Sequence, residues 1–157
     1  MEIFLEPLGD RINQLGNSCL DVGCSTGYLS QYVAGRYIGI DISFTAISLA
    51  RKAYPDRDFH VDKVRSGWQW IADAPVDTVV FGNVLHIYVD PSERINALRS
   101  YVPYTKYLII YELEMFDHNP ISKEFKLIDE IHGCVNLDIE EVKRHRKILV
   151  YEVPSND

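Results

Sequence analysis

The 157 residues include 46% hydrophobic side chains and carry a formal net charge of −7. That suits one globular domain over 1–157 with enough apolar material for a core. The acidic balance disfavours nucleic acid, whose phosphates need clustered Lys and Arg. No apolar run is long enough to cross a bilayer. MEIFLEPLGD carries acids where a secretion signal carries bases, and three cysteines without metal-like spacing do not make a disulfide framework. The expectation is a cytoplasmic protein with free thiols and no membrane contact.

Residues 3–15 pattern as a short amphipathic helix, interrupted near Pro7-Leu8-Gly9. Residues 18–22 read as a strand. Gly23 through Gly27 break the pattern, and a helix is expected from there to about Ala34. RYIGID is a second strand ending at Asp41. Ser43 is placed to cap a helix from Phe44 to about Ala53, stopped by Pro55. DFHVD is a third strand ending at Asp62, followed by a short helix or turn anchored on Trp68, Trp70 and Ile71. VDTVVFGN, nearly all apolar, reads as a fourth strand buried on both faces.

Asp90-Pro91-Ser92-Glu93 has the chemistry of a helix start, with the helix running to about Val102 and burying Ile95, Leu98 and Val102. KYLIIYELE is a fifth strand. Asn119-Pro120 opens a helix expected to hold Ile121, Phe125, Ile128 and His132 on one face. RKILVYEVP is the final strand, and CVNLDIEEVKRH holds one more with indistinct ends. The basic run KRHRK, 143–147, reads as the solvated end of a hairpin or helix.

Strands alternating with helices imply a parallel sheet covered on both faces. Ligands of such sheets bind beyond the carboxyl ends of the strands. The unusual residues fall there: Gly23–Gly27, Asp41, Asp62 and Asn83–His86. Strand, glycine turn, helix is the arrangement that brings a ligand against bare backbone. An acid about twenty residues on, Asp41, can accept from both hydroxyls of a ribose. Asp62 can accept from an adenine amine.

LDVGCSTG, YIGIDIS, FHVD and FGNVLHI together resemble the class I S-adenosylmethionine-dependent methyltransferase family. The first segment differs from that family's LDVGCGTG only at Ser25. The likeness is specific over residues 18–90 and architectural to about residue 153. It implies a Rossmann-like α/β fold: a doubly wound, mostly parallel sheet of about seven strands with an antiparallel last strand. It also implies S-adenosyl-L-methionine as cofactor. The residues matching the family's binding segments are Asp21, Gly23, Cys24, Ser25, Gly27, Asp41, Ile42, Asp62, Lys63, Asn83 and Val84. Asp21 would orient the amino-acid end, Asp41 the ribose, Asp62 and the Lys63 backbone the adenine, and Asn83 the methionine portion. Cys24, beside a helix N-terminus, is read as packing rather than as a nucleophile.

Methyl transfer from a sulfonium is governed by positioning, with a base needed for hydroxyl or protonated amine acceptors. His86 and Tyr88 after the fourth strand and Glu112 following the fifth are the candidates. Each has a plainer reading: His86 as packing on the cofactor, Tyr88 as filler of an apolar gap, Glu112 as a surface acid. Glu112, Glu114, His118 and His132 have metal-ligand chemistry but unconvincing spacing, and no metal is expected. The resemblance implies a methyltransferase acting on an O or N acceptor, a small metabolite or biosynthetic intermediate. Alternatives are a nucleic-acid or protein methyltransferase, or a non-catalytic cofactor-binding subunit. The chain is little more than a catalytic core, so a homodimer or partner subunit covering an open site is a further expectation.

Overall fold

The computed structural model describes residues 5–136 and 143–155. Seven strands form one sheet: β1 Ser18–Val22, β2 Arg36–Asp41, β3 Asp58–Val61, β4 Val76–Gly82, β5 Thr105–Leu113, β6 Lys126–Asn136 and β7 Lys143–Glu152. Their spatial order is β3-β2-β1-β4-β5-β7-β6. β1 to β5 pair in parallel, and β7 runs antiparallel to both β5 and β6. This is the doubly wound sheet with an antiparallel last strand that the sequence implied. The order reverses at β1, so the crevice beyond β1 and β4 is the topological switch point.

Strand alternation divides the core in two. Leu20, Val22, Ile38, Val79, Phe81, Leu108, Ile110 and Leu149 bury one face with Leu98 and Ile121. Cys19, Val80, Ile109, Ile148 and Val150 bury the other with Leu8, Ile12 and Ile47. The helices doing the covering are α1 Leu5–Leu15, α2 Phe44–Ala53, α3 Pro91–Arg99 and α4 Asn119–Glu124. Two starts follow the sequence: the Ser43 side chain accepts from the Ala46 N–H, and Asp90 accepts from the Ser92 N–H with Pro91 next in line. No helix among the described residues is long and apolar enough to cross a membrane.

Five expectations are corrected. α1 is not interrupted: Pro7 sits in the first turn, where its missing N–H has no helical acceptor to lose. Gly9 is where the helix rests on the chain after β1, since a Cβ there would lie 2.3 Å from the Tyr32 Cβ. No α-helix follows the glycine turn, only a single tight turn at Tyr28–Gln31. The backbone beyond it is bonded sideways, the Asn13 side chain donating to the Tyr32 carbonyl and accepting from the Ala34 N–H, both at 2.9 Å. α3 stops at Arg99, leaving Ile95 and Val102 half-buried.

The helix at Asn119 is also shorter than its apolar spacing suggested. Phe125 turns extended (φ −119°, ψ 147°). Ile128 and His132 therefore lie on β6, which pairs with β7 and slips register between Leu127 and Asp129. That slip disguised the strand's period of two as a helical one. The extra strand expected within 134–145 thus lies mostly upstream of it; residues 137–142 are outside those described. β6 is an edge strand, and its exposed Lys126, Glu130 and His132 discourage further pairing.

At the amino edge of the sheet Asp77 joins three strands. Its carboxylate accepts from the Asn17 N–H and the Ser18 hydroxyl at 2.9 Å, and pairs with the Lys106 ammonium at 2.8 Å. These donors hold its pKa down at about 2.

Candidate functional site

The carboxyl ends of β1 and β2 are laced together by backbone. The Gly23 and Cys24 N–H groups both donate to the Ile40 carbonyl, at 2.8 and 2.9 Å. The Asp41 carboxylate accepts from the Ser25 N–H and the Ser43 N–H, each at 2.9 Å. It thereby holds the glycine turn and the entry to α2 together. Gly23 and Gly27 are left-handed, at φ +79° and +81°. A Cβ on Gly23 would stand 2.2 Å from the Val84 Cγ1, so bare backbone is required there. Ser25, where the related motif has glycine, is also left-handed (φ 51°), and its bond to Asp41 holds it there.

Two clefts flank Gly23. One, of about 360 Å³, is lined by Asp41, Ile42, Asp62, Lys63, Val84 and Tyr88, among others. Here Asp62 accepts from the Lys63 N–H at 2.7 Å and from the Trp70 indole at 2.9 Å. Trp70 in turn stacks on His60 with ring centres 3.5 Å apart. The buried Tyr101 hydroxyl donates to the Val64 carbonyl and pins the loop that forms this wall.

The other cleft, of about 100 Å³, is lined by Asp21, Cys24, Ser25, Asn83 and Tyr111, among others. Asp21 is buried and accepts the Tyr37 hydroxyl at 2.6 Å. Burial raises its pKa to about 7. Burial likewise pushes the Cys24 thiol far up, with Asp21 and Asp41 adding to the effect, which disfavours the thiolate.

Beyond β4 and β5 lies a third cavity, of about 700 Å³, whose lining includes Asn83, His86, Arg94, Glu112, Phe116 and Arg146. Asn83 is left-handed (φ 56°), and its N–H donates to the Tyr111 carbonyl at 2.8 Å. Glu112, buried rather than on the surface, accepts the Leu85 N–H at 3.0 Å and lies 3.2 Å from the His86 Nδ1. Desolvation raises its pKa, opposed by His86. The His86 side chain is 57% exposed. A carboxylate beside Nδ1 favours the tautomer with the proton there and leaves Nε2 free to accept.

The structure brings the sequence candidates into two groups. Asp21, Gly23, Cys24, Ser25, Asp41, Ile42, Asp62, Lys63 and Val84 line the paired clefts, and His86 with Glu112 lines the larger cavity. Asn83 borders both regions. Tyr88 faces the cleft of Asp41 and Asp62, with the Arg65 guanidinium 5.1 Å from its ring centre, rather than the cavity of His86. Gly27 lies behind the turn, where a Cβ would strike the Phe59 ring at 2.6 Å. Glu112, Glu114, His118 and His132 do not converge on one point. His132 pairs with Glu114 and Glu130, His118 meets Lys147, and no metal-holding group of three such side chains occurs among the described residues.

Three residues escaped the sequence reading. Arg146 and Lys147 belong to the basic run read as solvated, yet Arg146 donates to the Asn83 side chain and Lys147 is buried, donating to the Phe116 carbonyl at 2.7 Å. The signal was available: the start of an antiparallel last strand lies at the carboxyl edge of its parallel neighbours. Arg94, from α3, had no such signal.

A family model described as a methyltransferase domain matches residues 20–102, just over half of the chain. No curated protein matches. Among solved structures, an S-adenosylmethionine-dependent methyltransferase from Methanosarcina mazei is 17% identical with a TM-score of 0.75, over 93% of this chain and 96% of that one. The N-methyltransferase NodS from Bradyrhizobium japonicum is 14% identical with a TM-score of 0.72, over 99% and 100%. Magnesium protoporphyrin IX methyltransferase from Synechocystis, solved with its cofactor bound, is 16% identical with a TM-score of 0.69, over 94% and 78%. These likenesses establish the fold, and with the family match the chain belongs to the methyltransferase-domain family, in the class I S-adenosylmethionine-dependent group.

Proposed function

We propose that the chain methylates an oxygen or nitrogen of a small metabolite or biosynthetic intermediate. The carrying observation is the seam at Gly23. Acids at the ends of β1, β2 and β3 line two clefts that meet where Gly23 touches Val84, and the larger cavity opens beyond Asn83. The donor set fits S-adenosylmethionine: Asp41 suits a ribose diol, Asp62 an adenine amine, and Asp21 the ammonium of an amino acid. The cofactor supplies an electrophilic methyl on a sulfonium whose departure leaves a neutral thioether. Gly23 and Ser25 bring backbone close to it, Val84 and Ile42 give apolar walls, and Asn83 marks the passage to the acceptor. His86, held by Glu112, would take the acceptor's proton at Nε2. Tyr88 is better suited to walling the nucleoside cleft than to proton transfer.

The cavity is of a size for a small molecule. Arg146 and Lys147 turn inward rather than forming an outer patch, which speaks against nucleic acid. Calorimetric titration with S-adenosylmethionine, S-adenosylhomocysteine and NAD is the test. Micromolar binding of the first two with NAD silent is expected; binding of NAD alone would overturn the reading.

One observation favours an added cover. Ile42, Phe44, Ile87, Val89 and Met115 are large, exposed and apolar, and all lie just beyond β2, β4 or β5. A second subunit over this rim would appear as a dimer in sedimentation at micromolar concentration; a monomer throughout would dismiss it.

A further inference from the structure

We infer that the acceptor is an amphipathic anion whose carboxylate or phosphate sits between Arg94 and Arg146. This rests on the methyltransferase reading and narrows its substrate class. The two guanidiniums come from different parts of the fold, Arg94 from α3 and Arg146 from the start of β7, and line the same cavity of about 700 Å³. Among the described residues neither has a carboxylate within ion-pairing distance, although Arg11, Arg65 and Arg99 each do. The carboxylates that share the cavity are engaged elsewhere. Glu112 is bonded to the Leu85 N–H and faces His86, and Asp117 accepts from the Asn119 N–H at 3.0 Å.

Each guanidinium is held so that part of its donor fork stays free. Arg94 uses Nε on the Tyr88 carbonyl at 2.7 Å and stands 4.8 Å from the centre of the Phe116 ring. Arg146 uses one terminal nitrogen on the Asn83 side chain and stands 5.4 Å from the Tyr111 ring. An aromatic face behind a planar guanidinium fixes its plane, and the remaining N–H groups suit a two-pronged oxyanion. Leu113, Met115 and Phe116 supply apolar surface between them, so a wholly polar anion would leave much of the cavity unmatched.

The test uses the full chain saturated with S-adenosylhomocysteine and titrates four aromatic probes: benzoate, phenyl phosphate, benzyl alcohol and benzylamine. Either or both anions are expected to bind at least about tenfold more tightly than the neutral and cationic probes, and their order tells carboxylate from phosphate. Arg94→Gln and Arg146→Gln should each weaken the preferred anion about tenfold or more while S-adenosylhomocysteine affinity holds. Retained affinity also shows that the variants are folded. No preference for the anions over benzyl alcohol in the wild type overturns the inference. So does an Arg146→Gln protein that loses S-adenosylhomocysteine affinity but keeps the anion, since that guanidinium would then serve the cofactor. If S-adenosylhomocysteine itself fails to bind the wild type, the methyltransferase reading fails, and the same four probes titrated without it still judge the arginine pair.

Discussion

The two sides of Asn83 are built from opposite materials. On the side of β1 to β3 the polar groups are carboxylates, and backbone or indole N–H groups hold them: Asp41 by Ser25 and Ser43, Asp62 by Lys63 and Trp70. On the side of β5 and β7 the free groups are guanidiniums, held by a carbonyl or an amide and backed by aromatic rings. Carboxylates suit the hydroxyls, amine and ammonium of an adenosyl amino acid, whereas guanidiniums suit an anion. The difference teaches that one crevice can offer two kinds of surface on either side of one residue, acceptors toward β1–β3 and unpaired guanidinium donors toward β5 and β7.

The sharpest way to break that division is to remove the proton acceptor proposed for the β5 side. His86→Ala should lower kcat by roughly a hundredfold or more, the usual worth of general base catalysis, with cofactor affinity retained. Turnover and binding measured on one preparation decide it; undiminished kcat would leave His86 as packing. Next comes Asp41→Ala on the other side. Loss of a charge-assisted pair of hydrogen bonds, about 1.5–3 kcal/mol, predicts about ten- to a hundredfold weaker cofactor binding. Because Asp41 also holds Ser25 and Ser43, melting should be measured alongside; unchanged affinity in a folded variant would remove it from the ribose.

A smaller effect separates the two sides by pH. The Asp21 carboxyl, buried with Tyr37, Cys19 and Cys24 and near Asp41, has its pKa raised to about 7. An ammonium ligand selects its ionised form, so cofactor affinity should fall as pH drops below about 7, and binding near neutrality should release protons. Calorimetry in two buffers of different ionisation enthalpy reads this directly, and Asp21→Asn should abolish it. In the free protein the sign runs the other way. A raised pKa gives stability that is present at low pH and lost as pH rises through about 7.

The smallest effect concerns the amino edge. Asp77, held down at about 2, contributes stability above the ordinary carboxylate range that is lost as pH falls toward about 2. The melting difference between wild type and Asp77→Asn should therefore be clear at neutrality and shrink in acid.

The β1–β3 side was readable in the sequence because each of its acids terminates a strand beside its own turn, within one local strand-turn unit. Asp41 at the end of RYIGID was legible through its pairing with the glycine turn about twenty residues earlier. The β5–β7 side was not, because register makes it: Leu113 faces Arg146 and Glu112 faces Lys147 across more than thirty residues of chain. A separation of 26 residues likewise hid the meeting of His86 with Glu112, although both were singled out separately. The helix expected after Gly27 failed for a related reason, since Asn13, fourteen residues earlier, takes the backbone groups that a helix would have used.

The Asp77 knot has a consequence for how such a chain can change over time. It ties β1, β4 and β5 at the amino edge of the sheet, opposite the clefts beyond their carboxyl ends. Loops at the opposite edge can then be exchanged, lengthened or recharged without loosening the sheet beneath them. Solved structures at 14–17% identity share this fold over nearly their whole length. A protein built this way keeps its fastening at one rim and its clefts at the other.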